Sequence, residues 1–376
     1  DRAIQDYDKA IELDPKYARA YNNRGNAYAR KGEQDRAIQD HDQAIQLDPK
    51  LALAYNNRGA AYARKGDPDR AIQDYDKAIE LDPKYASAYY NRGNAYARKG
   101  DPDRAIQDYD KAIELDPKYA RAYNNRGNAY ARKGEQDRAI QDHDQAIQLD
   151  PKLALAYNNR GNAYARKGDP DRAIQDHDQA IQLDPKYARA YNNRGNAYAE
   201  KGEPARAIQD FDKAIELKPD DAEVWDSKGT ALLDLGKKKE ALAAYEQAVR
   251  LKGGDHRFRY NLGVAQHRLG QRDKAVESFE QALRLDPSFK EVKDTLNRLK
   301  GEERVSWWEW WFAIPPSSRP RRIAGIVIIS MLALYLLFPL LGGRLVLIQD
   351  RLVLNTGQDW RYYVVPVVAL VFLLIL

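Results

Sequence analysis

DRAIQDYDKAIELDPKYARAYNNRGNAYARKGEQ, residues 1–34, returns at a spacing of 34 residues along most of this chain. Residues 1–50 and 103–152 are identical, so a block of three repeats has been copied almost unchanged, and drift sets in only past about Ala205. One period reads as two amphipathic helices. AYNNRGNAYARKG carries small and aromatic residues at helical spacing, and DRAIQDYDKAIEL does the same with Ala, Ile, Tyr and Leu. Gly32 and its copies through Gly270 separate them, each after a basic or polar last turn where a left-handed cap is least costly for glycine. LDPK ends the second helix, because the proline at Pro15 and its copies cannot continue a helix but can begin the next. A period of this length specifies stacked helix pairs, each contacting only its neighbours.

The composition agrees with reuse of a few residue types at fixed places. Of 376 residues 25 are Tyr, one is Met and none is Cys. The absence of cysteine removes disulfides, thiolate nucleophiles and Cys-ligated metals. A net charge of +5 spread over interleaved signs is not the concentrated basic surface that nucleic acid demands, so no nucleic-acid partner is expected. The chain starts at Asp1 without Met and stops inside an apolar run, and is read as a fragment.

The packing signature resembles the tetratricopeptide-repeat family residue by residue. The large residue of the first helix stands at Tyr21, Tyr55, Tyr89, Tyr123, Tyr157, Tyr191 and Trp225, and its glycine at Gly25 and every copy through Gly263. In the second helix Ala37 and Ala44 flank His41, a pattern repeated through Ala275, Phe279 and Ala282. The resemblance implies an all-α, right-handed α-solenoid whose first helices line the concave side. Eight units occupy 18–289, preceded by the second helix of a truncated unit at 1–17 and followed by a polar capping helix at 290–300. Arginine at Arg24 and its copies replaces the family's leucine. A semi-buried guanidinium needs a carboxylate, and Asp40 or Asp42 is the expected partner.

First-helix residues off the packing face are the expected ligand contacts. They are rich in asparagine: Asn22, Asn23 and Asn26, then Asn57, Asn91, Asn94, Asn125, Asn128, Asn159, Asn162, Asn193 and Asn196. A carboxamide both donates and accepts, so a row of them can pair with the backbone of an extended peptide without reading its side chains. The series is similar to the asparagine ladder of the solenoid in O-linked N-acetylglucosamine transferases, which implies peptide binding and none of the sugar-transfer chemistry. Arg19, Arg121 and Arg189, with Arg30 and its copies, favour acidic or carboxylate-bearing partners. His41, His143 and His177 occupy the aromatic packing slot that Tyr75 and Tyr109 fill elsewhere, so they are expected as packed rings rather than metal ligands. No nucleophile–base pair or phosphate loop is present, and no catalytic residue, metal or cofactor is expected.

After Lys300 the character changes. Trp307, Trp308, Trp310 and Trp311, followed by Arg319, Arg321 and Arg322, mark 301–322 as an interfacial segment and basic linker facing the lipid bilayer. Ile323 to Leu341 is free of charge over 19 residues, near the roughly 20 that cross a bilayer, and is expected to be transmembrane with the repeats on the cytoplasmic side. A loop at 342–362 allows a hairpin around Gln349–Asp350, and 363–376 reads as the start of a second crossing. The expected function is a membrane-anchored scaffold that binds peptides or partner proteins. The alternative is the substrate-recognition arm of a larger membrane enzyme or transporter; a spacer or self-assembly surface is a third reading.

Overall fold

The computed structural model describes residues 2–299 and, beyond them, the backbone of three short strands at 344–348, 351–355 and 365–366. Contacts divide the chain into two units, Asp1–Val292 and Lys293–Leu376.

The first unit opens with α1 (Arg2–Leu13) and continues as helix pairs: α2 (Ala18–Arg30) with α3 (Gln34–Leu47), α4 (Ala52–Arg64) with α5 (Pro68–Leu81), α6 (Ala86–Arg98) with α7 (Pro102–Leu115), and α8 (Ala120–Arg132) with α9 (Gln136–Leu149). Then come α10 (Ala154–Arg166) with α11 (Pro170–Leu183), α12 (Ala188–Glu200) with α13 (Pro204–Leu217), α14 (Ala222–Asp234) with α15 (Lys238–Leu251), and α16 (His256–Arg268) with α17 (Arg272–Leu285). A last helix, α18, covers 290–299, beginning in the first unit and ending in the second, with Val292, Leu296 and Leu299 buried.

The turn between the helices of a pair is set by glycine in the left-handed region, from φ 85° at Gly32 to 75° at Gly270. Between pairs the expectation for proline needs correcting. Pro15 and its LDP copies do not begin a helix; Pro15 lies in the turn after α1, and the next helix starts only at Ala18. There Asp14 Oδ1 accepts from the Lys16 amide at 3.0 Å, a local turn that competes with helix continuation. The prolines that do occupy first turns are Pro68, Pro102, Pro170 and Pro204, where no amide hydrogen is needed.

Close approach within a pair depends on a missing Cβ. One placed on Gly25 would lie 2.8 Å from His41 Cε1 and 3.1 Å from the Ala37 carbonyl oxygen, and Gly93 and Gly195 face Tyr109 and Phe211 as tightly. The core is therefore layers of alanine and one ring per unit, with Ala37, Ala44, Ala71 and Ala78 fully buried.

Arginine resolves the expected choice between two carboxylates by taking both. Arg24 grips Asp40 with Nε and Nη2 at 2.8 and 2.7 Å, and its Nη1 reaches Asp8 of the preceding second helix at 2.7 Å. Asp42 serves the next unit, accepting from Arg58 Nη1 at 2.6 Å while Asp74 holds the other two nitrogens. Each guanidinium thus joins two units, and its carboxylate partners hold it charged beyond its ordinary range. Lys228 inherits the position and pairs with one carboxylate, Asp212, at 2.6 Å, while its ammonium lies 5.4 Å from the Trp225 ring centroid.

In the second unit β1 (Arg344–Ile348) pairs antiparallel with β2 (Arg351–Asn355), Ile348 opposite Arg351. β3 (Val365–Pro366) adds to the other side of β2. The described chain is thus not wholly α, and Val365 and Pro366, read from sequence as belonging to the start of a second membrane crossing, are strand; proline is tolerated there because β3 is an edge. Among the described residues no helix is long and apolar enough to cross a membrane. The expected interfacial residues Trp307, Trp308, Trp310, Trp311, Arg319, Arg321 and Arg322 and the apolar run 323–341 lie outside the described residues.

Candidate functional site

First helices of successive units, α2 with α4 and onward to α14 with α16, approach one another more closely than the second helices do, so they occupy the inner side of the curve. The asparagines expected as ligand contacts lie along them, but the structure gives most of them an internal task. Asn57 Nδ2 donates to Asn22 Oδ1 of the unit before at 3.0 Å. Asn91 does so to Asn56 at 2.9 Å, Asn159 to Asn124 at 3.0 Å and Asn193 to Asn158 at 3.0 Å. Within a unit the arrangement closes on itself, as Asn124 Nδ2 donates to Asn125 Oδ1 at 3.0 Å. The amides form inter-unit rungs on either side of Tyr90, each contributing about 1 kcal/mol.

Two consequences correct the sequence reading. Asn22 is fully buried, so it cannot meet a ligand; it is the acceptor half of a rung. Asn23, Asn57, Asn91, Asn125, Asn159 and Asn193 are half-buried and each is engaged in at least one of these bonds; Asn125 Nδ2 donates twice, and the others keep part of their donor and acceptor capacity for a ligand. Sequence reasoning missed the pairing, although its signal was present: donors and acceptors stand 35 residues apart, one repeat plus one, the offset of a diagonal neighbour.

The ladder changes where the sequence does. Tyr90 replaces asparagine and packs against Tyr119, centroids 4.8 Å apart and ring planes tilted by 39°; Asn125 then donates to Tyr90 Oη at 3.1 Å and Asn94 Oδ1 at 2.8 Å. Ser227 stands where the donor to Asn192 belongs, and Asn192 Oδ1 is buried without a hydrogen-bond partner among the described residues. Further along, Asn261 donates to both oxygens of Asp226, at 2.9 and 3.1 Å, while burial pushes that carboxyl up to about 6.

Asn26, Asn128, Asn162 and Asn196 are half-buried on the inner side one turn beyond the ladder. Arg19, Arg121 and Arg189 are exposed at the starts of α2, α8 and α12. Arg30, Arg64, Arg98, Arg132 and Arg166 form an exposed row at the helix ends, one per unit. From it Arg98 and Arg132 reach back to the Ala63 and Ala97 carbonyl oxygens at 3.1 and 2.7 Å, cation against the negative end of the preceding helix. The row changes sign at Glu200 and Asp234.

His41, His143 and His177 are packed rings with no exposure, and none of their ring nitrogens has a hydrogen-bond partner among the described residues. Burial pushes them down to about 4, 3 and 4, so they are neutral at physiological pH. A polar pocket opens between α10 and α12 beside His177, lined by Asn162, Asn193 and Asn196, with Arg166 and Glu200 also at its walls. Among the described residues no three or more His, Asp or Glu side chains converge as a metal site requires.

Known proteins place these observations in a family. A TPR repeat model matches residues 1–32, 25–66, 64–100, 93–134, 127–168 and 161–202. Tetratricopeptide repeat models match 188–221 and 227–288. A search of curated proteins found no match. Among solved structures, the APC/C hetero-tetramer Cut9-Hcn1 is similar at 19% identity and a TM-score of 0.58, covering 78% of this chain and 58% of that one. A tetratricopeptide repeat protein from Parabacteroides merdae is similar at 21% and 0.53, covering 70% and 99%. Pseudomonas aeruginosa pilF is similar at 23% and 0.51, covering 57% and 97%. At these identities the structures speak for the fold alone. The family models, by contrast, land on the helix pairs, glycines and alanine layers that build the stack, and the chain belongs to the tetratricopeptide-repeat family.

Proposed function

We propose that the inner face of the first helices binds an extended acidic polypeptide segment, and that the chain is a membrane-attached adaptor recruiting such partners. The observation that carries the reading is the row of exposed Arg30, Arg64, Arg98, Arg132 and Arg166 beside half-buried amides with unused hydrogen-bonding capacity. Arg19, Arg121 and Arg189 support it independently. They sit in first turns, where the helix N-terminus opposes a cation, so local stability does not account for them. Attachment to the bilayer rests on the tryptophan cluster, the basic linker and the uncharged run 323–341, and the basic residues before that run favour a cytoplasmic solenoid.

A peptide array probed with the full chain tests the binding face. The triple variant Arg19→Ala, Arg121→Ala, Arg189→Ala should lose acidic peptides selectively while melting like the parent. Unchanged binding across the array would refute the face. Protease added outside intact cells should spare the repeats, and their digestion would overturn the cytoplasmic placement.

A further inference from the structure

One position in the first turn of the first helices recurs unit by unit as Arg19, Leu53, Ser87, Arg121, Leu155 and Arg189. Arg121 is followed three, four and seven residues later by Asn124, Asn125 and Asn128, spacings that put it on the same helix stripe as the ladder and so on the inner side. Neighbours in this row lie within side-chain reach of each other, because in the diverged part Arg257 Nη2 meets Glu223 Oε1 of the unit before at 2.9 Å. That pair satisfies itself. Arg19, Arg121 and Arg189 have no ion-pair or hydrogen-bond partner among the described residues, and Leu53 and Leu155 leave 41% and 40% of their surface exposed. A cation in a first turn faces the positive end of its helix, and a leucine left in water forgoes its burial, so neither serves the helix it stands on.

On α8, α10 and α12 the row reads arginine, leucine, arginine. The two guanidinium groups call for carboxylates, and the exposed leucine between them gains only from an apolar side chain. Spacing then selects the backbone. Packed helices stand about 8–10 Å apart, and a polyproline II segment advances about 9 Å per turn of three residues. Residues i, i+3 and i+6 of that conformation therefore line one edge at the spacing of the units, whereas in a β-strand residues three apart point to opposite faces. Polyproline II also has no internal hydrogen bonds, which leaves its backbone open to the half-buried carboxamides alongside.

We propose that Arg121, Leu155 and Arg189 read a polyproline II segment carrying acidic residues at i and i+6 and an apolar residue at i+3. The proposal rests on the inner-face reading and adds a register and a backbone conformation to it. Leu53 has Arg19 on one side and Ser87 on the other, so the complete triplet lies on α8, α10 and α12.

The test is calorimetric titration of the full chain with two nonapeptides of identical composition, acetylated and amidated so that neither has a terminal charge. Both are proline with glutamate second and eighth; the register peptide has leucine fifth, and the shifted peptide has it fourth. The register peptide should bind about tenfold more tightly, the share of a leucine contact kept or lost. Leu155→Ser should remove that preference and melt like the parent, because Ser87 occupies the same position of α6. Equal affinity for the two peptides, or a preference that survives Leu155→Ser, overturns the register while acidic-peptide binding stands. Failure of both peptides to bind the parent overturns the register and the inner-face reading together.

Discussion

Acidification should loosen this solenoid through three residues, and the size of the effect follows from their burial. His41 and His177 are pushed down from 6.5 to about 4 and His143 to about 3, chiefly by desolvation and secondarily by Arg58, Arg194 and Arg160. The folded state therefore keeps all three neutral, while the unfolded chain takes up protons near the ordinary value. Below that value the unfolded state binds more protons, so stability falls as pH falls and is fully retained above it. At about 1.4 kcal/mol per pH unit per group, a drop to pH 5 costs about 2 kcal/mol for each histidine, about 6 kcal/mol if the three units unfold together. Repeat arrays can open locally, so an individual unit feels only its own share. The assay is thermal unfolding followed by circular dichroism at pH 7 and pH 5. The parent is compared with the triple variant His41→Phe, His143→Phe, His177→Phe, which puts into each slot the ring already found at Phe211 and Phe279. Carboxylates, including Asp226, are common to both proteins and cancel in the double difference. The parent should lose substantially more stability between the two pH values. An equal pH dependence in the triple variant would refute the assignment of the buried imidazoles as the acid-sensitive groups.

Further outcomes follow from single contacts. Gly127→Ala places a Cβ 2.8 Å from His143 Cε1 and 3.0 Å from the Ala139 carbonyl oxygen, which as backbone cannot yield, and should cost about 1–3 kcal/mol in urea unfolding. Asn159→Ala removes the donor to Asn124 Oδ1 on a side chain only 1% exposed, and should cost about 1–2 kcal/mol with no change in helix content. Ser227→Asn supplies the donor that buried Asn192 Oδ1 lacks and should raise the melting temperature, corresponding to about 1 kcal/mol; an unchanged or lower value would show that the rung cannot be rebuilt there.

The stack was legible in the sequence because its determinants are local and repeated. Glycine at a positive φ, alanine layers and one ring per unit all recur at the same offset. The partner of Arg24 was legible as a charge requirement, but its dual role was not, since Asp8 and Asp40 lie on either side of it in different units. The asparagines were misjudged for a related reason. A polar residue off the packing stripe reads as solvent-facing, yet in a stack the side wall of one first helix is the floor of the next, so Asn22, Asn124 and Asn158 are buried by their neighbours in space. The histidines read correctly as packed rings. Their orphaned nitrogens and the pocket at His177 depend on side-chain contacts that no periodicity displays.

The copied and diverged units hold together by different physics, and the change falls at one junction. Up to α12 the contacts between units rely on asparagine rungs and arginine gripping two carboxylates, with small apolar clusters such as Ala139, Ile140 and Ala163. At α14 asparagine gives way to Ser227, arginine to single-pronged Lys228, and the tyrosine of the signature to Trp225. There the apolar core widens to include Val224, Leu232, Leu233 and Leu262. A rung or a forked ion pair is directional and forfeits most of its value when one partner goes, whereas apolar burial degrades in proportion to area lost. The copied part therefore specifies register between units strictly, which preserves an evenly spaced row of side chains on the inner face. The diverged part tolerates sequence drift because its stability is distributed over contact area, and the row of arginines ends one unit before that change, where Glu200 closes α12.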